Sequence, residues 1–340
     1  MMKNFLIGFL FFFPLLTFAQ STAKEFIKAG VHLHDKGDYT GALENYEKAL
    51  TVEKNNEEAY YEMGLTYLNM KKFDKAIECA DKLIKNKKEY VAMGYHLRGM
   101  SLDYMGKPKD ALAAFKKGTK ADPNYTTLFY SMAITLVAFN DNEMAKKALE
   151  EGLSHNRYHK KSHYMLGVLM QDERPQSLLA LYHYLLLEPT GRLSNTAYNL
   201  ILSQQKIGVE VNDNKSINIT LKPIDDKDDF SAAEVMLSML EATKGLEENK
   251  NKSDFEMFSE NTKSFLQVLK ELDEKDKHKG FWWDFYVDFF SDLISNDERY
   301  ETFTYYISQD IKSTSVETWL RKNPERVAIL ENWVANYKKQ

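Results

Sequence analysis

Three histidines, His155, His159 and His163, recur four residues apart. On one continuous helix that spacing would place three imidazoles on one face, an arrangement suited to a transition metal. A second chemically suggestive run, Asp225, Asp226, Asp228 and Asp229, offers carboxylates to calcium. It lacks the internal Gly and distal Glu of a calcium loop, so it reads as a solvated helix start favoured by the helix dipole. Cys79 is the only cysteine, so no internal disulfide forms. Set among Ile77, Ala80 and Leu83, it reads as a buried small side chain rather than a reactive or intermolecular thiol. No Ser, His and Asp set, phosphate-cradling Gly loop or zinc-type Cys pair is apparent. The expectation is a chain without catalytic residues, metal or cofactor, and hence not an enzyme. A formal net charge of −5 with no concentrated basic segment also argues against nucleic acid as a partner.

The elements that position these residues repeat. A small residue occupies Gly30, Gly64, Gly99, Ala133 and Gly167, at spacings of 34, 35, 34 and 34 residues. A second small residue keeps the rhythm at Ala42, Ala76, Ala111 and Ala145. Two helices approach closely only where neither presents a long side chain at the crossing, so each period predicts a packed helix pair. A period of this length indicates a helical solenoid whose units bury their apolar faces against neighbours. The register also divides the histidines, placing His155 late in one helix, His159 in the turn and His163 early in the next, and so argues against a shared metal.

The residues at these positions resemble the tetratricopeptide repeat. Phe26, Ala29, Gly30, Leu33, Ala42, Tyr46 and Ala49 carry the likeness in the first repeat, and Tyr95, Gly99, Leu102, Ala111, Phe115, Gly118 and Pro123 in the third. The second fits through Tyr60, Met63, Gly64, Tyr67, Ala76 and Leu83, with Ala80 in place of the usual aromatic. The fourth uses Phe129, Met132, Ala133, Leu136, Ala145, Leu149 and Gly152. The fifth begins with His163, Leu166 and Gly167, then loses two residues in its inner turn before Ser177, Leu181, Tyr184 and Pro189. The resemblance implies an all-α fold: a right-handed superhelix of about five helix pairs with repeats near 23–56, 57–90, 92–125, 126–159 and 160–191, and a cap at 192–206. It also implies protein binding as the shared activity.

In this family the first helix of each repeat lines a concave face. Carried onto this chain, the fifth position holds Ile27, Tyr61, His96, Tyr130 and Tyr164, and the ninth holds Val31, Leu65, Met100, Ile134 and Val168. Family members that clamp an acidic peptide end use Lys and Asn there, and these donors are absent. What remains is an apolar, tyrosine-rich groove, the candidate partner-binding site. Such a face is expected to be covered, in part by the chain's own residues 230–340.

At the start of the chain Lys3 precedes the apolar stretch Phe5 to Phe18, with Thr17-Phe18-Ala19 before Gln20. This is the plan of a cleaved secretory signal over 1–19, similar to those of bacterial envelope proteins, and leaves no transmembrane anchor after cleavage. The expected location is the periplasm, or beyond the cell if secretion continues. Residues 20–206 form the repeat domain and 207–340 a helical C-terminal domain. That domain carries one β-hairpin over 209–221, since Val209-Glu210-Val211 and Ile217 to Leu221 alternate around Asn212-Asp213-Asn214-Lys215. Its core helix is Phe281 to Phe290, where Asp284, Asp288, Ser291 and Ser295 form one narrow polar stripe. The functional expectation is a non-enzymatic scaffold of the bacterial envelope that binds another protein or peptide. The alternative is a glycan or small-ligand binder using the same aromatic groove.

Overall fold

The computed structural model describes residues 13–86, 89–211, 217–221, 223, 228–246, 249–276, 278–311 and 313–337. Residues 1–12 lie outside these, so most of the expected signal does too. No helix among the described residues is long and apolar enough to cross a membrane. The chain divides into two compact units, 1–148 and 149–340.

The first unit is a run of helix pairs: α1 (Phe13–Asp35) with α2 (Tyr39–Val52), α3 (Glu57–Asn69) with α4 (Phe73–Asn86), and α5 (Val91–Tyr104) with α6 (Pro108–Ala121). α7 (Thr127–Ala138) and the start of α8 (Asn142–His155) complete it. Each expected small position lies at a crossing. Ala42, Ala76, Ala111, Ala133 and Ala145 are fully buried. A Cβ added at Gly30 would overlap the Tyr46 ring, and one at Gly99 the Phe115 ring. Glycine is needed there for space, because the aromatic of the second helix sits directly against the first. Cys79 is buried in this core, and burial pushes its thiol up to about 12, so it stays protonated and packs as a small apolar group.

Every pair in this unit is turned by the same device. Gly37, Lys71, Gly106 and Asn140 all have positive φ, and the amide of the next residue donates to a carbonyl five residues back. These bonds are Asp38 to Leu33, Lys72 to Tyr67, Lys107 to Leu102 and Asp141 to Leu136, at 2.8–3.0 Å. This is the Schellman ending, in which a left-handed residue lets the orphan carbonyls of the last turn find donors. Side-chain caps start α2 and α3. Asp38 accepts from the Gly41 amide at 3.0 Å, and Asn56 from the Ala59 amide at 2.8 Å.

The second unit begins within α8 and holds α9 (Lys160–Leu169), α10 (Arg174–Leu187) and α11 (Ser194–Lys206). The division between the compact units thus falls at 148/149, inside the fourth repeat. The physical reason is α10. All of its residues except Gln176 and Leu187 are buried, where a repeat helix would bury one stripe. It packs against α12 (Ser231–Ala242), α15 (Asp297–Ile307) and the π-helical turn Trp282–Val287, as well as its own repeat partner α9. At the register point where earlier pairs carry a left-handed turn residue stands Arg174, itself buried. Its Nε donates to Glu234 Oε1 at 2.7 Å, and its Nη atoms donate to the carbonyls of Ile207 (2.9 Å) and Glu234 (2.9 Å) and to Ser238 Oγ (3.0 Å). That buried pair ties α10 to α12 and to the end of α11.

The hairpin forms as expected: β1 (Val209–Val211) pairs antiparallel with β2 (Ile217–Ile219), Val209 opposite Ile219. Its turn residues lie outside the described set. α13 (Asp254–Asp276), the π-helical turn and α14 (Asp288–Ile294) follow, then α15, α16 (Thr314–Lys322) and α17 (Pro324–Asn336). Trp283, Phe285, Tyr286, Val287, Phe289 and Phe290 are buried, while Asp284 and Ser295 are exposed, so the narrow polar stripe is real. Among the described residues the protein is all-α apart from this one two-stranded hairpin.

Candidate functional site

The ten residues carried over from the repeat positions separate by burial. Ile27 on α1 is 2% exposed and joins the core of the first unit. His96 on α5 is 5% exposed. Neither presents a free surface to a partner, because each packs inward at the junction of successive pairs. Val31, Tyr61, Leu65, Met100 and Tyr130 are half-buried, and Ile134 on α7 is exposed. In the second unit Tyr164 and Val168 on α9 are half-buried, with the Tyr164 and Tyr184 rings 5.3 Å apart.

His96 has a structural task that sequence position alone did not show. Its Nε2 pairs with Ser131 Oγ at 2.9 Å, and its Nδ1 faces the Tyr125 hydroxyl at 3.4 Å. Tyr125 in turn interacts with Tyr61. A polar chain therefore runs from α3 through α5 to α7. Burial lowers the His96 pKa to about 4, so the imidazole is neutral at physiological pH and uses one nitrogen as donor and the other as acceptor. The hydroxyls of Tyr61, Tyr125 and Tyr130 are all pushed above the usual phenol range, chiefly by burial. They remain protonated and able to donate.

Two further tyrosines complete this face. Tyr90 caps the start of α5, with its ring 6.0 Å from that of Tyr61, and Tyr125 immediately precedes α7. Reading only the fifth and ninth repeat positions misses both, because they lie just ahead of their helices.

The histidine run is divided as its register requires. α8 ends at His155, which is exposed, and α9 begins at Lys160. His159 Nδ1 pairs with Ser162 Oγ at 2.7 Å. His163 is fully buried, with Nδ1 on the Tyr286 hydroxyl (2.6 Å) and Nε2 on the Arg157 carbonyl (2.8 Å), so both ring nitrogens are already committed. It stacks on buried His183 with centroids 4.2 Å apart. Of the aspartate run, Asp225 and Asp226 lie outside the described residues. Asp228 accepts from the Phe230 amide at 3.0 Å and so supports the entry to α12.

Comparison with known proteins matches a TPR repeat family model to residues 30–71 and a tetratricopeptide repeat model to residues 57–90 and 94–125. Tetratricopeptide repeat protein 28 of Homo sapiens is 36% identical over 100 residues, and that of Mus musculus 35%. Each match covers 29% of this chain, and the chain spans 4% of the length of either relative. Among solved structures, a thermophilic TPR protein of Thermus thermophilus is similar with a TM-score of 0.44 at 19% identity, covering 53% of this chain and 99% of its own. YrrB, a TPR protein with an unusual peptide-binding site, gives 0.36 at 21%, covering 56% and 98%. Pseudomonas aeruginosa pilF gives 0.41 at 14%, covering 79% and 99%. The family-model matches fall between Gly30 and Tyr125.

Proposed function

We propose that this protein is an exported, non-enzymatic scaffold of the bacterial envelope that holds another protein or peptide on the tyrosine-rich face of its repeats. The observation that carries the reading is the state of Tyr61, Tyr90, Tyr125 and Tyr130. All are half-buried, and Tyr61 and Tyr125 are held in a polar chain that fixes their orientation. Rings fixed in place, each with an apolar surface and a polar tip, lose little entropy when a partner docks. TPR repeats generally serve protein interaction, which agrees with this arrangement.

Affinity capture from envelope extracts, with the full chain and a Tyr61→Ala, Tyr130→Ala variant side by side, tests the reading. A defined protein recovered by the parent and lost by the variant supports it. Equal recovery by both moves the binding surface elsewhere, and saturable quenching of tyrosine fluorescence by soluble sugars would favour the glycan-binding alternative. Intact-mass measurement of the chain from its native host tests export. The expected species begins at or next to Gln20; an envelope species retaining Met1 contradicts cleavage.

A further inference from the structure

Three carboxylates stand beside the tyrosines of the second repeat. Glu58 and Glu62 stand a turn apart on α3, flanking Tyr61, and Asp35 ends α1. Glu62 feels both Glu58 and Asp35, and Tyr90 feels both Glu58 and Glu62. The Glu62 carboxyl is raised above its usual range, first by burial and then by Glu58 and Asp35. Like charges held together destabilise the free protein, and a partner that supplies cations relieves that repulsion on binding.

We propose that this face, built from Tyr61, Tyr90 and Tyr125 with Glu58 and Glu62, takes a peptide segment carrying lysine or arginine. The proposal rests on the reading of the repeats as a protein-binding scaffold and adds the chemistry of the partner. Aliphatic stems of such residues lie along tyrosine rings, their heads are attracted to the ring faces, and the carboxylates supply the opposite charge. An exposed ion pair alone contributes little, so the combination with desolvating rings matters. An acidic segment would meet three carboxylates of its own sign. A neutral sugar would leave their repulsion in place.

Panning short random peptides against the full chain, followed by anisotropy titration of an enriched peptide, tests this. The peptide is compared with its Lys/Arg→Gln counterpart, on the parent, on Glu58→Gln, Glu62→Gln, and on Tyr90→Ala, with circular dichroism melting to confirm that each variant folds. Enrichment of basic peptides, with about tenfold weaker binding on removing either the peptide's cations or the two carboxylates, is expected. The affinity is also expected to fall as salt rises. Enriched peptides that need Tyr90 but are neutral or acidic, and do not sense the Glu→Gln changes, overturn the cation chemistry and leave the scaffold reading intact. Failure to enrich any peptide sensitive to Tyr90 overturns both.

Discussion

His96 occupies the same repeat position as Tyr61 and Tyr130, yet it is buried and joins Tyr125 to Ser131. Replacing it by alanine strands two hydroxyls and leaves a void. His96→Ala is therefore expected to cost on the order of 2 kcal/mol of stability in urea denaturation; a midpoint unchanged from the parent would show the chain of bonds to be idle. The groove was legible in the sequence only as a set of periodic positions. Periodicity reports the helix face, whereas the depth of a side chain depends on the neighbouring pair, and so it does not separate the buried Ile27 and His96 from the half-buried Tyr61 and Tyr130. The helix break between His155 and Lys160 is legible because it follows from register alone.

The helix pairs were legible because close crossings demand small residues at a fixed period, a constraint written directly into residue type. Ala111 tests that constraint. It is fully buried on α6 against α5, so Ala111→Arg forces volume and an unpaired charge into a packed crossing. A loss of several kcal/mol, seen as a lower denaturation midpoint, is expected. The turns were less legible, since two of the four left-handed positions are Lys71 and Asn140 rather than glycine. A left-handed conformation costs a residue with a Cβ about 1 kcal/mol, so Lys71→Gly is expected to raise stability by about that amount, measured in the same titration. The fifth repeat reads as a repeat from Gly167 on α9 and Leu181 and Tyr184 on α10, but the last two describe one face of α10 only. The apolar residues on its other face assign it to the second unit, and the π-helical turn that meets it left no periodic mark in the sequence.

Both units bury neutral imidazoles, which makes acid sensitivity a property of the whole molecule. Burial lowers His96 to about 4 in the first unit and His163 to about 3 in the second, and holds His183 well below the usual range. In the unfolded chain these groups titrate near about 6.5, so between that pH and the folded values the unfolded state binds more protons. Their contribution to stability is present above pH ~6.5 and lost as pH falls, by up to about 1.4 kcal/mol per pH unit for each histidine. Urea midpoints measured from neutral to mildly acidic pH are expected to decline, and His96→Asn to flatten the dependence of the first unit. The central claim is that the second- and third-repeat tyrosines receive a partner. Hydrogen exchange of the full chain, alone and with the captured partner, tests it most directly. Slowed exchange in Glu57–Asn69 and Val91–Tyr104 is the expected result, and protection confined to residues 149–340, with those two helices unchanged, would contradict it.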